Sequence, residues 1–136
     1  MSPKLEIAKR RIQRAHDTLK EGDLLIAARH WRGALNRVYY AAFYAARALL
    51  ATRDLDAGRQ SGVIALFQQH FVKTGVVPTN VAKALPHAFE SRQTSDYADV
   101  ADPRDEEVIA LRMSVTAFVA ACEHVVEQQI VDENEP

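Results

Sequence analysis

Residues 36–50 read NRVYYAAFYAARALL, a segment in which alanine and aromatic side chains dominate while arginine and asparagine recur at helical intervals. A helix with apolar residues on nearly every side is too apolar for a protein surface, and its polar groups need partners. We therefore expect Asn36 and Tyr40 to serve either the packing of the fold or a site beside this helix. Tyr40, Phe43 and Tyr44 add a second apolar side, which predicts a homodimer.

The spacing of apolar residues predicts helices in nearly every other part of the chain, and no segment alternates like a half-buried strand. The predicted helices cover about residues 5–22, 24–53, 61–73, 80–92 and the segment from 103 onward. Gly22 ends the first and Asp23 caps the second, while Asp102 caps the last. These helices predict an all-α fold, an up-and-down antiparallel bundle of four to five helices. Residues 1–131 form its single domain, and 132–136 a frayed acidic tail.

Composition limits the class of protein. A chain of 136 residues can bury one core without disulfides or a metal. The net charge of -1 predicts no bulk attraction to nucleic acid or membranes, although the first helix is basic and most simply has a solvated basic face. The single cysteine suits a reducing compartment, no signal peptide opens the chain, and the nearly uncharged run 38–46 is shorter than a membrane helix. We expect a soluble, cytoplasmic protein that does not bind a membrane.

The residue patterns of metal and cofactor sites do not occur. The histidines lack one-turn spacing and a zinc-type Cys–His pattern, and no Glu-x-x-His motif for a di-iron site is present. A glycine-rich phosphate loop is also missing. Cys122 lies on an apolar stripe, where its thiol should be buried and inert. The sequence therefore predicts no metal ion and no cofactor.

The remaining candidate for chemistry is the segment 89–97, which reads FESRQTSDY. Arg92 carries a planar fork of donors suited to phosphate, and Asp96 and Tyr97 follow just beyond the predicted helix end. Residues 93–101 lack periodicity and are predicted to form a functional loop. A plainer interpretation is that Arg92 pairs with Asp96 or Glu90 and that Tyr97 packs on the bundle.

Four segments together resemble the HEPN family of small prokaryotic helical domains. They are residues 36–50, 61–67, 71–75 and 88–97, which follow the order expected for this family within roughly residues 5–128. The resemblance implies an all-α homodimer whose gene often neighbours a minimal nucleotidyltransferase, and many such pairs act as toxin and antitoxin. Active members are metal-independent ribonucleases whose motif is an arginine followed, after four to six residues, by a histidine.

This chain departs from that motif, because Tyr97 occupies the place where the histidine could stand. Tyrosine has an ordinary pKa of about 10 against about 6.5 for histidine, so Tyr97 would be a poor base near neutral pH. Arg11 and His16 also have the motif spacing, but they lie in the first helix, outside the family's position. In part of the family a tyrosine just past the motif histidine receives AMP, and Tyr97 is the nearest analogue here.

Three functions follow from these observations. The first is a nucleotide- or RNA-binding homodimer that partners a nucleotidyltransferase-type protein in a toxin–antitoxin-type pair. In it Arg92 would hold phosphate, Asp96 would orient Arg92, and Tyr97 would stack or hydrogen-bond, while Asn36 and Tyr40 would fix the loop. The second is a ribonuclease toxin in which Arg92 and Tyr97 are catalytic. The third is a structural, dimerising helper.

Overall fold

The computed structural model describes residues 1–97 and 102–135, and that part of the chain contains no β-strand. Five α-helices of eight residues or more and one single-turn helix form a bundle, which confirms the predicted all-α fold. A π-helical turn, Gln68–Val72, extends the third helix. In chain order the helices are α1 (Pro3–Ala27), α2 (Trp31–Ala51), α3 (Gln60–Phe67), the single-turn α4 (Thr79–Ala82), α5 (Ala84–Tyr97) and α6 (Asp105–Asn134).

Helix α2 is the centre of the bundle and packs against α1, α3, α5 and α6. Thirteen of its 21 residues are buried, including alanines that let the neighbouring helices approach closely. On its second apolar side, Phe43 is buried within the chain. Tyr40 and Tyr44 remain half-buried. This side is therefore covered only in part by the same chain, and the homodimer stays a prediction.

The boundary between α1 and α2 differs from the prediction. Helix α1 continues through Gly22 and Asp23 to Ala27, and the chain turns at Arg29, whose φ is +59°. Gly22 is buried against α2 within a regular helix, so it does not end α1. Asp23 does not cap α2, because its carboxylate accepts two hydrogen bonds from Arg112 of α6, at 2.7 and 2.8 Å. Tertiary contacts thus override two local signals that ordinarily end and start helices.

The predicted loop 93–101 is wrong where the structure describes it. Helix α5 continues to Tyr97, so residues 93–97 are helical, and residues 98–101 lie outside the described part of the chain. At the other end, Pro86 occupies the first turn of α5, where its missing N–H breaks no helical hydrogen bond. The helical conformation of residues 93–97 decides where the side chains beyond Arg92 point.

Helix α6 begins at Asp105, two residues later than predicted, with three acids in its first turn. Asp102 is not its cap and instead lies 3.5 Å from the Arg32 guanidinium. The helix extends to Asn134 and therefore continues into the segment predicted to be frayed, where Glu133 accepts a 2.6 Å hydrogen bond from the Ser2 amide. By length and composition α6 could cross a membrane, but a single helix of this kind is weak evidence for a span, and 33% of its most apolar window is buried in the bundle.

Candidate functional site

Arg92 projects from α5 towards α2 and the start of α3. Its Nη1 donates a hydrogen bond to the Tyr40 hydroxyl at 3.2 Å, and its Nη2 donates to Gln60 Oε1 at 3.0 Å. The guanidinium carbon lies 4.4 Å from the centroid of the Tyr39 ring, a cation–π distance. We term Arg92, Tyr39, Tyr40 and Gln60 the Arg92 cluster. The structure thus brings together Arg92 and Tyr40, which the sequence predicts as site residues. It adds Tyr39 and Gln60, which the sequence does not predict.

The donor and acceptor atoms of the Arg92 cluster can be assigned from the chemistry of its side chains. Arginine only donates, so the Gln60 atom that faces Arg92 is the carbonyl oxygen. That oxygen also accepts from the Tyr39 hydroxyl at 2.7 Å, and the Gln60 amide nitrogen donates to the Tyr40 hydroxyl at 3.1 Å. The Tyr40 oxygen accepts from both Gln60 and Arg92, which uses its two lone pairs. Its own hydrogen is therefore uncommitted within the cluster and can be donated to a ligand.

The charge of Arg92 is held by neutral groups. Within residues 1–97 and 102–135 no carboxylate lies at ion-pair distance from it, so neither Glu90 nor Asp96 is its partner. Its Nε is buried without a hydrogen-bond partner. Burial raises the pKa of Tyr39, although the nearby Arg92 charge acts in the opposite direction, so Tyr39 stays a neutral donor. The cluster orients a half-buried cation without neutralising it, which suits an anionic ligand.

Asp96 and Tyr97 lie outside the Arg92 cluster. Both are exposed on the last turn of α5, and the Tyr97 side chain is 86% exposed, so it does not pack on the bundle. A helix turns by about 100° per residue, so five residues place Tyr97 about 140° around the axis from Arg92. Tyr40 and Gln60 orient Arg92 in place of Asp96. Within one chain, Arg92 and Tyr97 do not face a common site.

Asn36 reaches the Arg92 cluster only through a neighbour. Its Oδ1 accepts a 3.1 Å hydrogen bond from Arg37, whose guanidinium carbon lies 5.3 Å from the centroid of the Tyr40 ring. Arg37 also pairs with Glu21 of α1 at 3.3 Å. Asn36 lies one helical turn before Tyr40 and therefore supports that side of the cluster by positioning Arg37.

Comparison with known proteins agrees with this architecture. Residues 8–125 match the model of the HEPN domain. The chain belongs to the HEPN family. It is 36% identical over 115 residues to a UPF0332 protein of Thermotoga maritima, a match that covers 85% of this chain and 87% of the relative. The resemblance seen in the four sequence segments is thereby confirmed.

Two relatives from Methanocaldococcus jannaschii each carry the name "Putative toxin". One is 30% identical over 96 residues, which are 71% of this chain and 65% of that protein. The other is 30% identical over 108 residues, which are 79% of this chain and 80% of that protein. The HEPN domain described here is thus similar over most of its length to proteins named as toxins.

Arg11 and His16, which have the spacing of the family's motif, do not form a site in this HEPN domain. Arg11 faces α2 and donates to the Arg47 carbonyl at 3.0 Å, whereas His16 faces α6 and contacts Glu123 at 3.1 Å. Glu123 borders a groove of about 780 Å³ between α1 and α6, which does not include Arg92. In the described part of the chain no group of three or more acidic, histidine or cysteine side chains could hold a metal. Burial raises the pKa of the Cys122 thiol, so it is a poor nucleophile.

Proposed function

We propose that this HEPN protein binds the phosphate of a nucleotide or RNA at the Arg92 cluster. The observation that supports this most directly is a half-buried guanidinium held by a glutamine and two tyrosines, without a carboxylate among the described residues. Phosphate oxygens accept strongly from arginine N–H groups. The uncommitted hydrogen of Tyr40 lies beside the same guanidinium, so two kinds of donor converge on one anion.

We further propose that the protein acts in a toxin–antitoxin-type pair with a nucleotidyltransferase-type protein, as a homodimer in the cytoplasm. Support comes from the similarity to proteins named as toxins and from what membership in the HEPN family implies. Light scattering of the purified protein measures its mass, and co-expression with the product of the neighbouring gene tests the pairing. A monomeric mass at micromolar concentration would contradict the homodimer.

Binding is the function that the geometry favours over cleavage. Tyr97 is the residue that would replace the family's histidine, and it points about 140° away from Arg92 on the same helix. A ribonuclease in which Arg92 and Tyr97 of one chain act together has no such site in this fold. Cleavage of RNA by the purified protein without metal, lost in Arg92→Ala, would nevertheless overturn the assignment of a binding role alone.

The test is titration of AMP and of a short RNA into the purified chain. Arg92→Ala should weaken binding by about tenfold or more, because a hydrogen bond to a charged group contributes about 1.5–3 kcal/mol. Tyr40→Phe keeps the ring but removes the free donor and should weaken binding by roughly threefold to tenfold. Arg104→Ala is the matched control, since the Arg104 side chain is 81% exposed and makes none of the contacts of the Arg92 cluster. Equal affinities of Arg92→Ala and Arg104→Ala would refute the proposal.

A further inference from the structure

A second arginine lies on a tyrosine ring in the same way as Arg92. The guanidinium carbon of Arg14, on α1, is 4.5 Å from the centroid of the Tyr44 ring on α2, close to the 4.4 Å of Arg92 above Tyr39. Arg14 is exposed and forms no ion pair with the described residues. Three arginines thus lie on tyrosine rings. Arg37, over Tyr40, is paired with Glu21, whereas Arg92 and Arg14 have no carboxylate partner within the described ranges.

Tyr40 connects these two arginines. Its ring centroid is 5.4 Å from the Arg92 guanidinium carbon and 5.8 Å from the centroid of the Tyr44 ring. Because Tyr40 and Tyr44 are one turn apart on α2, their half-buried rings line the same side of that helix. We term Arg92, Tyr40, Tyr44 and Arg14 the tyrosine–arginine face. It continues the Arg92 cluster along the surface by steps of about 5 Å.

Charge near the Arg14 end of the face is also positive. Arg11 and Arg47 are adjacent, yet one acid, Asp56, pairs with Arg47 at 3.3 Å. Burial lowers the pKa of Arg11, and the neighbouring Arg47 charge lowers it further, whereas Asp56 raises it. The net charge of the whole chain is -1, so this concentration is local. The basic residues of the first helix thus contribute to a surface that extends beyond the Arg92 cluster.

We propose that the tyrosine–arginine face binds a single strand of nucleic acid, with one phosphate at Arg92 and Tyr40 and another at Arg14. This inference rests on the proposed function of the Arg92 cluster. Two separated guanidinium groups suit a ligand with two phosphates along a chain, and aromatic rings between them suit unpaired bases. A mononucleotide would occupy the Arg92 cluster alone. The face therefore selects a strand over AMP.

Fluorescence anisotropy with labelled RNA and DNA strands of about eight nucleotides tests the inference. The strand should bind at least about tenfold more tightly than AMP. The slope of log affinity against log salt should be about -1.4 for two phosphates and about -0.7 after Arg14→Ala. Arg14→Ala should lower the affinity for the strand by about tenfold and change the affinity for AMP by less than about twofold. Comparing the RNA and DNA arms shows which strand the face prefers.

Matched variants separate charge from packing. Arg10 is on the same helix as Arg14 but lines the groove between α1 and α6. Arg10→Ala should therefore keep the salt dependence of strand binding that the unmodified protein shows. Tyr44→Phe keeps the ring below Arg14 and should keep the affinity, whereas Tyr44→Leu should behave like Arg14→Ala. Thermal melting confirms that each variant is folded, and light scattering reports its mass.

Three outcomes would overturn the inference. If Arg14→Ala leaves strand affinity and slope unchanged while Arg92→Ala removes AMP binding, the second phosphate site is wrong and the proposed function stands. If neither variant changes binding, both proposals are wrong. If Tyr44→Leu changes the molar mass while Arg14→Ala binds strands normally, the face is a contact between copies of the chain.

Discussion

Replacing Gln60 by glutamate should stabilise the fold and weaken anion binding. Gln60 Oε1 accepts from Tyr39 and Arg92, and its amide nitrogen donates to Tyr40. A carboxylate at this position keeps both accepting contacts and adds a negative charge beside the guanidinium. It cannot donate to Tyr40, so the Tyr40 hydrogen turns to donate to the carboxylate. Gln60→Glu therefore removes both features that suit an anion, the uncompensated charge and the free hydroxyl hydrogen.

The magnitudes follow from the position of Arg92, which is half-buried. The hydrogen bonds from the Tyr39 and Tyr40 hydroxyls become charge-assisted in Gln60→Glu, and such bonds are about twice as strong as neutral ones, so the free energy of unfolding should rise by about 0.5–1.5 kcal/mol. For a chain of this length that raises Tm by roughly 2–5 °C. The affinity for AMP should fall by about tenfold to a hundredfold, because the ligand loses its unpaired cation.

Thermal melts and AMP titrations of Gln60→Glu and Gln60→Ala separate the two effects. Gln60→Ala should lower both the stability and the affinity for AMP. It leaves the fully buried Tyr39 hydroxyl without an acceptor, at a cost of about 1–3 kcal/mol of stability. The introduced carboxylate has a lowered pKa beside Arg92, so its stabilisation is present above about pH 4.3 and is lost as the pH falls further. Unchanged AMP affinity in Gln60→Glu, or a loss of stability at pH 7 as large as in Gln60→Ala, would refute the reasoning.

Three further predictions concern the fold. Gly22→Ala should raise the free energy of urea unfolding by about 0.5–1 kcal/mol, because Gly22 lies within a helix and an added Cβ would meet its nearest neighbour at an ordinary contact distance of 3.5 Å. Gly75→Ala should lower that free energy by about 1 kcal/mol, because Gly75 has a φ of +80°. Asp23→Ala should lower stability by about 1–2 kcal/mol in the same assay, because Arg112 loses both hydrogen bonds. Burial raises the pKa of Cys122, so stability should fall as the pH rises above about 8.5, where the unfolded thiol ionises first. Urea unfolding between about pH 7 and 9.5 should show this decline in the native chain and a flatter profile in Cys122→Ala.

The central helix and its polar residues could be predicted because burial leaves a periodic pattern in the sequence. That pattern identifies Tyr40 as a residue that needs a partner, and the structure supplies Arg92 as that partner. It does not identify Gln60, which is the polar first residue of α3 and contacts α2 and α5 only in the folded chain. Tyr39 is equally inconspicuous, since a buried aromatic residue in a core stripe needs no function.

Local signals were insufficient at the end of α5. Residues 93–96 are polar and have no apolar spacing, so the sequence alone does not show whether the helix continues. The difference matters, because a loop could return Tyr97 to Arg92 while a helix directs it to another side. Ser95 is the one residue among these four that is buried. A helix end within a polar segment is set by such contacts and cannot be read from periodicity.

Two arginines of this HEPN domain show what distinguishes a structural charge from an available one. Arg112 faces both oxygens of Asp23, and these hydrogen bonds raise its pKa, so its donors and its charge are satisfied within the fold. Arg92 is also fixed in direction, but by neutral oxygens and a ring, and no carboxylate pairs with it in residues 1–97 and 102–135. Desolvating such a cation costs free energy that a carboxylate would offset. Under the proposed function, the glutamine at position 60 holds Arg92 in place and leaves its charge for a ligand to neutralise, whereas an acid there would neutralise it within the fold.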